Sequence, residues 1–97
     1  MKEQLMLERL RANREVLASR FDVRWMGVFG SASRGEARPE SDVDILVSFQ
    51  GPATFDGYFG LKFFLEELLE REVDLVTDKA LRRELRERVE KDLVRVA

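Results

Sequence analysis

Apolar positions along the chain follow two different periods. Over residues 3–18, Leu5, Met6, Leu10, Ala12, Val16 and Leu17 recur at helical spacing between Glu8, Arg9, Arg11 and Arg14, which predicts an amphipathic helix. Val23–Phe29 carries apolar side chains towards both faces (Val23, Trp25, Met26, Val28, Phe29), the pattern of a buried strand. Gly30-Ser31 closes that run, with Ser31 placed to cap a short helical turn through Ala32-Ser33-Arg34. Gly35 to Ser41, which contains Pro39, reads as a loop. Asp42–Phe49 predicts a second strand centred on Ile45, Leu46 and Val47, and Gln50-Gly51-Pro52 ends it. A helix is predicted from about Tyr58 to Glu70, with Leu61, Phe64, Leu65, Leu68 and Leu69 as its stripe. Glu72–Thr77 predicts a third strand. Asp78 is a candidate N-cap for a last helix lined by Leu81, Leu85, Val89 and Leu93. Strands and helices in this order predict an α/β (α+β) domain, a small mixed sheet of at least three strands packed against helices, over residues 1–97.

Composition narrows the chemistry. With 97 residues and an apolar share of 44 %, the chain supports one modest core and no second substrate-binding domain. It has no cysteine and no histidine, so disulfides, thiolate or imidazole metal sites and a histidine base are all excluded. Carboxylates must carry any catalysis, and their hard oxygens suit magnesium or manganese. No apolar run approaches the ~18 residues that cross a bilayer. The start, Met1-Lys2-Glu3-Gln4-Leu5, lacks the pattern of a signal peptide, so a cytoplasmic protein without membrane contact is expected. A net charge of -2 argues against general nucleic-acid binding. Charge is uneven, however: residues 25–78 hold four basic and eleven acidic side chains, whereas the flanking segments are mildly basic. That asymmetry fits an acidic metal site in the middle of the chain.

Three features of the middle segment point to a site. Gly30-Ser31, at a strand end that opens a helical turn, presents free backbone N–H groups and a hydroxyl where the helix dipole is positive, a phosphate-binding arrangement. Taken alone, the dipeptide is a common turn. Asp42 and Asp44, two apart on a predicted strand, share a face with Cα atoms about 6.6 Å apart at ~3.3 Å per residue. Such a pair can converge on one ion or bridge two. They could instead be surface residues, but a strand continuing into Ile45-Leu46-Val47 seldom opens on two like charges without a cation. Asp74 interrupts the apolar Val73-Leu75-Val76 and can face the pair if the second and third strands are neighbours. Its competing role is an edge-strand charge that discourages aggregation. Arg34 could neutralise phosphate or pair with Glu36 or Glu40. Lys62 reads rather as a solvated lysine, Arg38 as loop solvation and Tyr58 as a core or helix-start residue.

Gly-Ser, ten intervening residues, Asp-x-Asp and then a Val-Asp-Leu-Val strand together resemble the minimal nucleotidyltransferases of the DNA polymerase beta superfamily, over nearly the whole chain. The similarity is strongest to the antitoxin branch that is paired with HEPN-domain toxins. The resemblance implies the nucleotidyltransferase fold, with Gly30 and Ser31 on the phosphates of ATP and Arg34 beside them. It implies Asp42, Asp44 and Asp74 as the catalytic and metal-binding carboxylates for two magnesium ions, or manganese. The implied activity is transfer of AMP to a tyrosine of the HEPN toxin, with Asp74 as base for the attacking hydroxyl. Two other functions fit the same residues less well: an antitoxin that neutralises by binding alone, and nucleotidyl transfer to a small molecule or an RNA end.

Overall fold

The computed structural model describes residues 2–30, 33 and 42–97, with the side chain of Arg88 excepted. Ser31 and Arg34, and the loop predicted over Gly35 to Ser41, lie outside the described residues. The elements run α1 (Glu3–Ala12), α2 (Arg14–Phe21), β1 (Val23–Phe29), β2 (Val43–Phe49), α3 (Phe55–Leu69), β3 (Val73–Thr77), a 3-10 turn (Asp78–Ala80), α4 (Arg83–Asp92) and β4 (Val94–Arg95). The strands form one mixed sheet in the order β3-β2-β1-β4. β1 is antiparallel to both β2 and β4, and β2 is parallel to β3.

The first helix is divided. The Asn13 side-chain amide donates to the Arg9 carbonyl at 2.8 Å, while the Asn13 N–H turns to Leu10. The side chain thus takes the carbonyl that an unbroken helix would give to the backbone, and α1 ends there. Both halves still direct their apolar residues inward, so Met6, Leu10 and Leu17 are buried. α2 ends at Asp22 and α3 at Glu70, both in the left-handed conformation at φ 55.

One face of the sheet carries the core. Val23, Met26 and Val28 of β1, Val43, Ile45 and Val47 of β2, and Val73 and Leu75 of β3 pack with Met6, Leu10, Leu17, Leu61, Leu65 and Leu69. Val23 and Met26 are three apart, which strict alternation would send to opposite faces. A bulge between Val23 and Trp25, where β1 slips against β2, restores both to the core side.

α3 begins at Phe55 rather than near Tyr58. Thr54 caps it, its hydroxyl accepting from the Gly57 N–H at 3.0 Å, and Asp56 sits in the positive first turn. Further along, the Tyr58 hydroxyl donates to the Leu75 carbonyl and the Glu66 carboxylate accepts the Val73 N–H at 2.9 Å. The Val43 N–H donates to Glu72, so Val73 and Leu75 turn their backbone groups away from β2, to the outer margin of the sheet. Two of those outer groups are therefore satisfied by α3.

The second face is only partly covered. Asp78 does not cap the last helix; it opens the 3-10 turn, its carboxylate lies 3.9 Å from Arg24, and α4 starts five residues later. Leu81, Leu85, Val89 and Leu93 approach this face as the periodicity predicts. Leu93 lies over Gly27, where a Cβ would come within 2.6 Å of its Cδ1. The chain then adds β4, and Val96 and Ala97 bond to Met26 of β1. This fourth strand extends the minimum of three that the sequence predicts.

The Thr54 cap offers a direct check of these contacts. Thr54→Ala should cost about 1 kcal/mol, lowering the thermal midpoint by roughly 4–8 °C in a domain of this size. A midpoint within about 1 °C of wild type in a calorimetric scan would show that the cap does not hold the start of α3.

Candidate active site

The site occupies the uncovered part of the second face. β1 is followed by Gly30, which has φ +71, a conformation that glycine adopts without strain. A Cβ there would stand 2.3 Å from Oδ2 of Asp44. Gly30 is thus required twice, for the turn and for the nearness of the carboxylate. Its carbonyl accepts from both the N–H and the hydroxyl of Ser33, at 3.2 and 2.9 Å, which closes the turn tightly.

Asp44 is the second residue of β2 and is half-buried, facing away from the core with Leu46 and Ser48. Its register partners are Phe29 on β1 and Asp74 on β3. Residues in register on adjacent strands share a face, so Asp44 and Asp74 lie side by side at the strand spacing of about 4.8 Å. Asp42 is exposed, immediately before β2, with the parity of Asp44. β3 is an edge strand and Asp74 is exposed, as a guarding charge would be. Register with Asp44 distinguishes it, because like charges directly opposite one another destabilise a sheet.

The sequence-predicted residues therefore divide. Gly30, Asp44 and Asp74 are brought together, Asp42 adjoins them, and Ser31 and Arg34 lie outside the described residues. Lys62 belongs to α3, across the sheet from the carboxylates. No three carboxylates among the described residues already converge to hold an ion. The donor set nonetheless fits a hard divalent cation: two carboxylates in register, a third beside them, and no softer ligand in the chain. Asp42 and Asp74 are exposed, so their side chains can rotate towards Asp44.

Beside Asp74 a groove of about 320 Å³ runs between the sheet and α4, lined by Phe29, Val76, Leu81, Arg82, Leu85 and Val89 among others. Its apolar walls with one carboxylate and one guanidinium suit an aromatic or nucleoside group. Arg82 was not among the candidates from sequence. Nothing in a run of arginines marks the one that the turn after β3 brings to Asp74. Among the described residues, larger cavities of about 540 and 400 Å³ lie elsewhere, one between α2 and α3 and one beneath Trp25 and Leu93.

The chain belongs to the nucleotidyltransferase-domain family, whose model matches residues 10–96 and so spans the glycine turn and the paired carboxylates. Among its relatives is the protein adenylyltransferase MntA of Thermococcus cleftensis, 42 % identical over 87 residues that span 90 % of this chain and 88 % of that protein. The solved structure of a candidate minimal nucleotidyltransferase is 43 % identical, with a TM-score of 0.75 over 91 % of this chain and 93 % of the other. An MNT antitoxin in complex with the tri-AMPylated HEPN toxin of Shewanella oneidensis shares the fold, at 21 % identity and a TM-score of 0.65, covering 98 % of this chain and 71 % of that one. The nucleotidyltransferase fold and enzyme class inferred from the motif are therefore those of the family.

Two substitutions test the geometry without any ligand. Gly30→Ala should destabilise the domain by about 1–3 kcal/mol in urea unfolding, from left-handed strain and the Asp44 contact. Asp74→Asn should leave the apo-protein equally stable or slightly more so, because it relieves repulsion on the sheet face. A marked loss of stability in Asp74→Asn would mean that the carboxylate is structural.

Proposed function

We propose that this chain transfers AMP from ATP to a tyrosine hydroxyl of a partner HEPN-domain toxin and thereby neutralises it. The observation that carries the reading is the registered Asp44/Asp74 pair beside a turn that favours glycine, in a chain of the nucleotidyltransferase family. Support for AMP transfer to a protein comes from the name of the Thermococcus relative, and support for the partner from the AMPylated toxin held by the Shewanella antitoxin.

Gly30 and Ser31 hold the triphosphate through backbone N–H groups and the Ser31 hydroxyl, with Arg34 countering its charge. Asp42 and Asp44 hold two magnesium or manganese ions, with Asp74 completing the set. The chemistry such ions supply is neutralisation of the triphosphate and a lowered pKa for the attacking hydroxyl. Asp74 accepts the proton of the tyrosine hydroxyl, whose oxygen bonds to the α-phosphorus as the bond to pyrophosphate breaks. The groove next to Asp74 receives the aromatic ring of the acceptor, and its apolar lining by Phe29, Val76, Leu85 and Val89 supports an acceptor of that kind. The protein contributes mainly position and charge, which is what phosphoryl-type transfer demands. An enzyme that spends ATP on a partner toxin belongs in the cytoplasm. No helix among the described residues is long and apolar enough to cross a membrane.

Two measurements test this reading. Mg-ATP at about 100 times its dissociation constant should stabilise the fold by ~2.7 kcal/mol, and EDTA should abolish that gain. The double variant Asp42→Asn/Asp44→Asn should still bind the toxin but fail to protect cells from it. Wild type should add the mass of AMP to a toxin tyrosine, at less than one antitoxin per toxin. Full protection by the double variant, with no mass added to the toxin by either form, would instead mean neutralisation by masking.

A further inference from the structure

One charged residue in the groove beside Asp74 has no task in the fold. Nearby, Arg24 lies against the Asp78 carboxylate, and Arg86 donates to the Asp78 carbonyl at 3.2 Å. Arg82 lines the groove, yet its guanidinium has neither an ion pair nor a hydrogen bond among the described residues. It is also the only cation in that lining among them. Asp74 lines the same groove without pairing to it, so cation and carboxylate are both left for whatever enters.

Nor does Arg82 serve its own helix. α4 starts at Arg83, which puts Arg82 in the N-cap position, and its side chain makes no cap. That position favours a side-chain oxygen, and a guanidinium has none to offer. It also sets a positive charge at the positive end of the helix dipole. What Arg82 faces is the groove. Arg82, Leu85 and Val89, at i, i+3 and i+7, lay one stripe of α4 along it. Exposure falls along that stripe, from the exposed Arg82 to Leu85 at 46 % and Val89 at 8 %. The groove therefore has a charged rim and an apolar interior.

A tyrosine whose ring enters this groove brings its neighbouring residues to the rim. Asp42, Asp44 and Asp74 repel a carboxylate there, and a bound triphosphate adds to that charge. Arg82 alone in the lining receives one, through charge-assisted hydrogen bonds from its planar fork. We infer that Arg82 selects the acceptor, and that the acceptor tyrosine has an aspartate or glutamate one or two positions away. Two residues of extended chain span about 7 Å, so an acid at that separation stays beside the ring. Arg82 is a positioning residue in this role and touches no reacting atom. The inference rests on the proposed transfer to tyrosine and names its acceptor more narrowly.

Three peptides serve as acceptors, each with a single tyrosine flanked on both sides by glutamates, glutamines or lysines. Mg-ATP is the donor, and added AMP is read by mass. Wild type should prefer the glutamate peptide to the lysine peptide about tenfold in kcat/KM, with the difference carried by KM. Arg82→Glu should invert that order and Arg82→Lys should keep it, an inversion that loss of structure cannot produce. Mg-ATP should stabilise Arg82→Glu against heat as it does wild type, because the triphosphate belongs at Gly30. Equal use of the three peptides by wild type, or an order that survives Arg82→Glu, would overturn the inference. So would a smaller Mg-ATP stabilisation in Arg82→Glu, since the guanidinium would then serve the triphosphate. If the HEPN toxin gains AMP while no peptide does, the acceptor is read elsewhere, and the inference fails although the transfer stands. If neither toxin nor peptide gains mass, the proposed transfer fails and the inference with it.

Discussion

β2 and β3 run parallel because α3 carries the chain back along the core face, seated there by Leu61, Leu65 and Leu69. That pairing sets the register in which Asp44 meets Asp74, and the candidate site depends on it. Two like charges in register on adjacent strands oppose folding, and the opposition is borne by the apolar packing beneath. Val43, Ile45, Val73 and Leu75, the neighbours of the two aspartates along their strands, are all buried. The charged face and the apolar face thus alternate residue by residue along the same two strands. A shift of one residue would bury the aspartates and expose the core, so stability of the fold and geometry of the site cannot vary independently.

Much of this was legible in the sequence because it rests on period-two alternation. Asp42 and Asp44 share a parity and Asp74 interrupts an apolar strand, while the adjacency of the two strands, left as a condition by the sequence, comes from the structure. The glycine turn was legible as a type of site, but not for its second reason, the carboxylate 2.3 Å from where a Cβ would stand. That requirement joins residues fourteen apart in the chain and exists only once β1 and β2 are paired.

What escaped the sequence depends on single hydrogen bonds or on partners that must already be in place. The division at Asn13 follows from one side-chain amide competing for one carbonyl. The early start of α3 follows from the Thr54 cap, where Gly57 reads as a breaker in an apolar pattern. The bulge before Trp25 is invisible in a run that is apolar on both sides. β4 has two residues and therefore no period; it forms because β1 has a free margin and Leu93 finds space over Gly27. Arg82 reaches the groove by Asp74 only through the turn that precedes it.

The two outer margins of the sheet are finished differently, and that has a bearing on recognition. β1 is closed by β4, while the outward N–H of Val73 and C=O of Leu75 on β3 are taken by Glu66 and Tyr58 of α3. An extended peptide could not add along β3 without first displacing the Glu66 and Tyr58 side chains. Backbone templating, which accepts many sequences, is thereby discouraged. A partner that approaches the β3 side, next to Asp74, is thus met by side chains rather than by open backbone.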